Sequence, residues 1–317
     1  MPIDMPASRR HFLRTAFTAA AALSACSPSS TESESSAEAP APTVPDNIGV
    51  QLYTLRSVID ADPAAVLSKL AAIGYKEVEA VRGNFQVIAP AMAAAGLKAV
   101  SMHATTPKRP ADWQTWGGPQ EEPLPTGGDA WRAEVDNAKA AGLGYLVIPY
   151  IRPEDRGDLD FMKNFAVQLN QAGAIAAAAG IQLCYHNHAF EFEPVGDTSG
   201  FQVLLDTLDP ANAKIELDVF WVSVAGYDPV ELLAANAGKF PLVHLKDKTA
   251  SLPTQFNEKV PPAAFRELGA GVLDFPMILK AGSESGVEHY FVEQDQCPGD
   301  PLESLRTSYE YLKVVHA

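Results

Sequence analysis

The chain has 317 residues, 47% of them hydrophobic, and a formal net charge of −15 at pH 7. So acidic a protein repels phosphate backbones, which are bound through Lys and Arg, and nucleic-acid binding is disfavoured from the outset. Three cysteines without a C-x-x-C spacing exclude a disulfide framework and a thiolate metal or redox motif.

The first 46 residues do not read as folded core. Ser8-Arg9-Arg10-His11-Phe12-Leu13-Arg14 has the form of a twin-arginine export signal. Leu23-Ser24-Ala25-Cys26 has that of a lipobox, in which Cys26 becomes the lipidated N-terminus. The apolar stretch from Thr15 to Ala25 has 11 residues, against the roughly 20 needed to span a bilayer. Residues 1–25 are therefore expected to be a cleaved signal peptide. Its removal takes away Arg9, Arg10, Arg14 and Asp4, leaving a net charge of −17. Residues 26–46, rich in Ser, Glu, Ala and Pro, bury too little apolar surface to offset ordering entropy and are expected to form a disordered tether. The expected location is the periplasmic side of a membrane, reached through the lipid anchor alone. Ser27 gives no inner-membrane retention signal, which favours the outer membrane.

From residue 47 onward, short β-branched runs alternate with Ala/Leu-rich segments of helical period. A strand over Ile48–Tyr53 precedes a helix that opens at Asp62-Pro63 and ends near Gly74. Glu77–Val81 and a helix from Val87 to Ala95 follow, then a strand over Lys98–His103. A Pro/Gly/Trp-rich loop covers 104–128 and leads into a helix over Asp129–Ala141. Tyr145–Tyr150 is the fourth strand, with a long helix over Leu159–Ala179. Ile181–Tyr185 is the fifth, and a short helix begins at Ser199-Gly200. Lys214–Val219 is the sixth, before a helix opening at Asp228-Pro229. Leu242–Lys246 is the seventh, followed by a long loop over 248–272 and a helix near Phe275–Ala281. Val287–Glu293 is the eighth, and a helix over Leu302–Val315 closes the chain. Asp62-Pro63 and Asp228-Pro229 each pair an N-cap carboxylate with proline at the first helical position.

Eight strand–helix units in the 271 residues 47–317 match a closed (β/α)8 TIM barrel of class α/β. An open doubly wound sheet would carry a glycine-rich phosphate loop after its first strand. Here that place reads Leu52-Tyr53-Thr54-Leu55-Arg56. The barrel is the expected fold, as a single catalytic domain.

Barrel enzymes place their chemistry at the carboxyl ends of the strands. Of the seven histidines, His103, His186, His188 and His244 fall at or just beyond expected strand ends, and Asp218 and Glu293 end strands six and eight. Neighbouring strands lie about 4.8 Å apart, so His186 or His188, Asp218, His244 and Glu293 on four consecutive strands can converge on one ion. Imidazole and carboxylate donors suit one divalent Mn, Zn, Co or Fe ion. By alternation Lys246 shares a face with His244 and reaches a substrate oxygen above the metal; Glu216 shares one with Asp218 but lies deeper. Phe291, Glu293 and Asp295 share another face. Tyr53, Trp113, Trp116 and Trp221 are candidate sugar-stacking surfaces, and Tyr53, His103, His188 and Lys246 are the candidate substrate contacts.

The blocks "GVQLYTLR" (49–56), "YHNHAFEF" (185–192), "ELDVFWVSVAG" (216–226), "VHLKDK" (243–248), "ELGAGVLDF" (267–275) and "FVEQD" (291–295) together resemble the xylose-isomerase-like barrel superfamily, in its sugar phosphate isomerase/epimerase branch. The resemblance spans residues 47–317. It implies one divalent metal at the ends of strands five to eight, with Asp218, His244 and Glu293 as ligands. His186 stands where the family usually has a glutamate, and Glu191 is placed to supply the missing carboxylate.

The chemistry implied is a metal-dependent isomerase or epimerase acting on a sugar, keto-sugar or related polyol through an enediolate. Glu293 is the expected base, with His186 or Glu191 returning the proton on the other face. A keto-glycoside lyase using the same enolate for β-elimination is the close variant. A lipid-anchored, non-catalytic sugar-binding protein is an alternative of another class. Metal-dependent phosphoester hydrolysis is a third, and it requires several zinc ions.

Overall fold

The computed structural model describes residues 48–81, 83, 85–104, 128–153 and 156–315. The signal and tether, Cys26, and Trp113 and Trp116 lie outside these. Eight parallel strands close into a barrel: β1 (Ile48–Gln51), β2 (Glu77–Val81), β3 (Lys98–His103), β4 (Tyr145–Ile148), β5 (Gln182–His186), β6 (Ala213–Asp218), β7 (Leu242–Leu245) and β8 (His289–Val292). Each strand pairs with its neighbours in sequence, and β8 returns to β1 through Ile48 opposite Tyr290. The expected (β/α)8 TIM barrel is the fold found.

Helices α1 (Pro63–Ile73), α2 (Phe85–Ala94), α3 (Asp129–Ala140), α4 (Leu159–Ala178), α5 (Gly200–Thr207), α6 (Val219–Val224), α7 (Pro229–Ala235), α8 (Phe275–Ser285) and α9 (Pro301–Val315) connect the strands or follow the last. The proline-led starts behave as expected: Asp62 Oδ1 accepts from Ala65 N at 3.0 Å and Asp228 Oδ1 from Val230 N at 2.8 Å. Among the described residues no helix is long and apolar enough to cross a membrane.

Apolar residues fill two regions. A large cluster joins the strands to the helices, and a smaller one of Val100, Tyr145, Val147, Cys184, Leu242 and Phe291 joins inward-facing strand residues. The inner layer depends on Gly49, where a Cβ would come within 2.6 Å of the Phe291 ring. This plug closes the barrel below the polar side chains that come next along the chain, Glu293 just after β8 and His244 on β7. Charged groups above it are screened from water on one side and open to a cleft on the other.

Several expected strands run shorter than their apolar runs. Tyr53 belongs to a 3-10 turn over Leu52–Leu55, because Gln51 caps that turn by accepting from Tyr53 N at 2.8 Å. Val219 starts α6, since Asp218 caps that helix. In the long loop after β7, Asp247–Lys248 pairs with Phe265–Arg266 as a two-stranded ribbon. Asp247 also ties down the segment that follows, accepting from the backbone N–H groups of Gly269, Gly271, Val272 and Leu273.

Candidate active site

Strand register sets the height of every polar side chain at the barrel mouth. Asp218 lies opposite His244, and His186 lies one layer down, opposite Glu216. Glu293 follows β8, its N–H bonded to Leu245 O at 3.1 Å, which puts it level with Lys246. Asp218 is oriented from both sides of its backbone. Its N–H donates to Asn187 Oδ1 at 3.0 Å and its Oδ1 accepts from Trp221 N at 3.0 Å. Oδ2 is left facing the barrel interior.

The upper group comprises Asp218, His244 and Glu293, whose ligand atoms lie within 4.8 Å of one another. His244 Nδ1 is 2.9 Å from Glu293 Oε2 and 3.8 Å from Asp218 Oδ2. Lys246 is no rim lysine. It is 2% exposed, and its Nζ sits 2.7 Å from Glu293 Oε2, 3.0 Å from Asp218 Oδ2 and 3.1 Å from Asp295 Oδ1.

The lower group comprises His103, His186, Glu216 and the opposite edge of His244, with ligand atoms again within 4.8 Å of one another. Glu216 Oε2 lies 3.3 Å from His103 Nε2, 3.2 Å from His186 Nδ1 and 3.3 Å from His244 Nε2. Glu79 flanks the group from β2, 2.8 Å from His103 Nε2 and 2.7 Å from His244 Nε2. Gln51 Nε2 donates to Glu79 at 2.9 Å, and Ser101 Oγ donates to its other oxygen. Sequence reading missed Glu79. The available signal was alternation in Glu77-Val78-Glu79, which turns Glu79 inward on a buried parallel strand.

These groups set one another's charge. Burial opposes ionisation of Glu293, but Lys246 and then His244 outweigh it and hold the carboxyl well below its usual range. Burial likewise opposes the charge on Lys246, and Asp218, Asp295 and Glu293 overcome it, so the ammonium is strongly retained. Burial pushes Asp295 up to about 6 despite Lys246. Desolvation, reinforced by His244 and His188, drives His186 well below the ordinary histidine value and keeps it neutral.

Above these groups opens a cleft of about 400 Å³, the size of a small-molecule site. Tyr53, His103, His186, His188, Lys246 and Glu293 all line it, together with Trp221 and Asp295. Two buried polar atoms on its wall, Trp221 Nε1 and His188 Nδ1, have no hydrogen-bond partner among the described residues. Their rings adjoin, with centroids 5.3 Å apart. Glu258, on the cleft wall, pairs with Arg156 at 2.6 Å, and Arg156 stacks on Phe190 at 3.5 Å, joining the segments after β4 and β7.

The expected quartet is thus split between two levels. Asp218, His244 and Glu293 come together. His186 joins His103 and Glu216 below, touching the upper group only through a 3.6 Å approach of its Nε2 to Asp218 Oδ2. Glu191, expected as a proton donor, does not line the cleft. It lies in a 3-10 turn, where strand alternation has ended. Its carboxyl meets Tyr185 OH at 2.5 Å and His188 N at 2.9 Å, so it braces the His188 backbone. Burial pushes its pKa up to about 8.

The upper group fits a divalent cation by its donors. Two carboxylates and an imidazole suit such an ion, and among the described residues the buried Asp218 Oδ2 has no partner nearer than the Lys246 ammonium at 3.0 Å. The Lys246 ammonium is a neighbour with which any ion there must share the carboxylates.

Comparison with known proteins agrees with this architecture. The family model for the xylose isomerase-like TIM barrel matches residues 67–314. An inosose dehydratase of Geobacillus thermodenitrificans is 27% identical over 155 residues, covering 46% of this chain and 51% of that protein. One of Clostridium perfringens is 29% identical over 161 residues, covering 48% and 54%. The chain spans about half the length of the curated relatives it matches. Among solved structures, a sugar phosphate isomerase/epimerase from Parabacteroides distasonis superposes with a TM-score of 0.68 at 25% identity, covering 89% of this chain and 96% of that one. The IOLI protein with a bound zinc atom shares the fold, with a TM-score of 0.61 at 15% identity and coverage of 85% and 97%.

Proposed function

Because the chain belongs to the xylose isomerase-like TIM barrel family, we propose that its cleft removes the proton α to a carbonyl of a sugar or related polyol and expels the oxygen substituent on the next carbon. The observation that carries this reading is the contact of 2.7 Å between Glu293 Oε2 and Lys246 Nζ on the cleft wall. It sets a carboxylate base and an ammonium acid side by side.

Glu293, held ionised, takes the α proton as the C–H bond breaks and the carbonyl oxygen gains charge. Lys246 gives a proton to the β oxygen as the C–O bond breaks, so the leaving group departs as water or an alcohol and a C=C bond remains. The proton on Glu293 returns to Lys246 across their contact, restoring the pair. A divalent cation held by Asp218, His244 and Glu293 supplies, when bound, Lewis-acid stabilisation of charge on the substrate oxygen. Asp218 and Asp295 keep Lys246 charged and aimed at the cleft. The inosose dehydratase relatives support this reading, since their name denotes loss of water from inosose.

A second reading keeps the same first step and returns the proton to carbon, with His186 as donor, giving isomerisation or epimerisation. The name of the Parabacteroides structure favours it. The cleft favours elimination, because Glu191 does not face it and His186 is neutral and tied to Glu216. Phosphoester hydrolysis is disfavoured by the lining charges, Glu258, Glu293 and Asp295 against Lys246.

Incubation with inososes, keto-sugars and keto-glycosides, read by mass spectrometry, tests the proposal. Elimination gives products lighter by one water or one alcohol, isomerisation gives products of unchanged mass, and binding without turnover contradicts both.

A further inference from the structure

We propose that the barrel holds a second divalent-cation site one layer below Asp218, His244 and Glu293, ligated by His103 Nε2, His186 Nδ1, His244 Nε2 and Glu216 Oε2. The inference is independent of the reaction proposed above.

The first support is spacing. Three imidazole nitrogens on β3, β5 and β7 stand 3.3, 3.2 and 3.3 Å from a single oxygen, Glu216 Oε2. Such distances are long for three hydrogen bonds to one carboxylate oxygen, where about 2.7–2.9 Å is usual for charge-assisted bonds. They match the edge of a tetrahedron whose metal–nitrogen bonds are about 2.0–2.1 Å, which is about 3.3–3.4 Å.

The second support is an unmet need. Glu216 is completely buried, and its Oε1 has no hydrogen-bond partner among the described residues. A buried carboxylate oxygen left bare is costly, and a cation beside Oε2 compensates it.

The third support is charge. Glu79 and Glu216 are both completely buried and bring two carboxylates against the nitrogens of His103 and His244, a charge that a divalent ion can balance in place of protons on those rings. One divalent ion cancels the pair. Glu79, held by Gln51 and Ser101, adds its charge beside the same nitrogens, 2.8 Å from His103 Nε2 and 2.7 Å from His244 Nε2, and those two contacts give way when an ion takes the nitrogens.

His244 then serves both levels, with Nδ1 toward Asp218 and Glu293 and Nε2 toward Glu216 and Glu79. The three-imidazole, one-carboxylate set suits zinc or cobalt rather than magnesium or calcium.

The test uses cobalt(II) alone as the probe. Crystals of the wild-type protein soaked in cobalt chloride, with data collected at the cobalt edge, should show an anomalous peak among His103, His186, His244 and Glu216. In solution, the cobalt visible spectrum should survive in Asp218→Asn and be lost from this site in Glu216→Gln, with cobalt bound per chain falling by one. Circular dichroism confirms that each variant is folded. A peak only beside Asp218 and Glu293, no peak at all, or undiminished cobalt binding by folded Glu216→Gln would overturn the proposal.

Discussion

Lys246→Met isolates the electrostatics of the upper site. The native ammonium is 2% exposed and touches Asp218, Glu293 and Asp295 at 3.0, 2.7 and 3.1 Å. Methionine fills the space of the alkyl stem but leaves three carboxylates with only the His244 ring, 2.9 Å from Glu293, to offset them. Breaking a buried charge pair by removing one partner costs about 3–5 kcal/mol. For a domain of this size each kcal/mol moves Tm by about 2–4 °C, so a fall of roughly 10 °C is expected in chelator-treated protein. A divalent cation drawn to the vacated carboxylates should reverse part of this, by about 2.7 kcal/mol at a concentration 100 times its Kd. Differential scanning calorimetry of both proteins, with chelator and with manganese, reads both effects. Elimination should fall by about 10²–10⁴-fold even where stability is restored, since the acid is gone. A chelated variant melting within about 2 °C of wild type, or one that manganese does not stabilise more than wild type, would contradict the assigned role of the Lys246 charge.

Glu191→Gln should change stability with pH and leave the site chemistry in place. Burial raises the Glu191 pKa to about 8, so the folded protein keeps this proton while the unfolded chain loses it near pH 4.5. Its contribution is therefore fully present below pH 4.5, declines as pH rises to about 8 and is then lost, by a few kcal/mol as an order of magnitude. Glutamine can keep both contacts, to Tyr185 OH and His188 N, and should flatten that slope in urea unfolding series; an unchanged slope contradicts the assignment. Trp221→Phe removes the unpartnered indole N–H and should weaken ligand binding about 3- to 10-fold, the worth of one hydrogen bond, in calorimetric titration; unchanged affinity contradicts a ligand contact there. We further propose that Cys26 carries the lipid, so Cys26→Ala should move the exported protein from the membrane to the soluble periplasmic fraction.

The residues most legible in the sequence were polar ones interrupting buried parallel strands. His103, Asp218 and His244 stood out because runs such as Lys214–Val219 and Leu242–Lys246 bury both faces, so a charged side chain within them has somewhere particular to go. Which residues share a level was not legible. His186 was grouped with Asp218, yet the pairing of His186 with Glu216 and of Asp218 with His244 drops it one layer. That offset arises from barrel stagger, which no single strand encodes. The placement of Glu191 off the cleft was not legible, because a 3-10 turn ends the alternation that carries His186 inward. Lys246 follows β7 on the face of His244, but its contact with Asp295, which lies beyond β8, was not legible.

The proposed elimination begins when Glu293 takes a proton from the carbon next to a carbonyl. The most direct measurement is wash-in of solvent deuterium at that carbon of an inosose or keto-sugar ligand, followed by NMR with wild-type and Glu293→Gln protein. Deuterium is expected at the α position with wild type, with a loss of at least about 10²-fold in the variant. Exchange at equal rates in both proteins, or none with a ligand that binds, would contradict it.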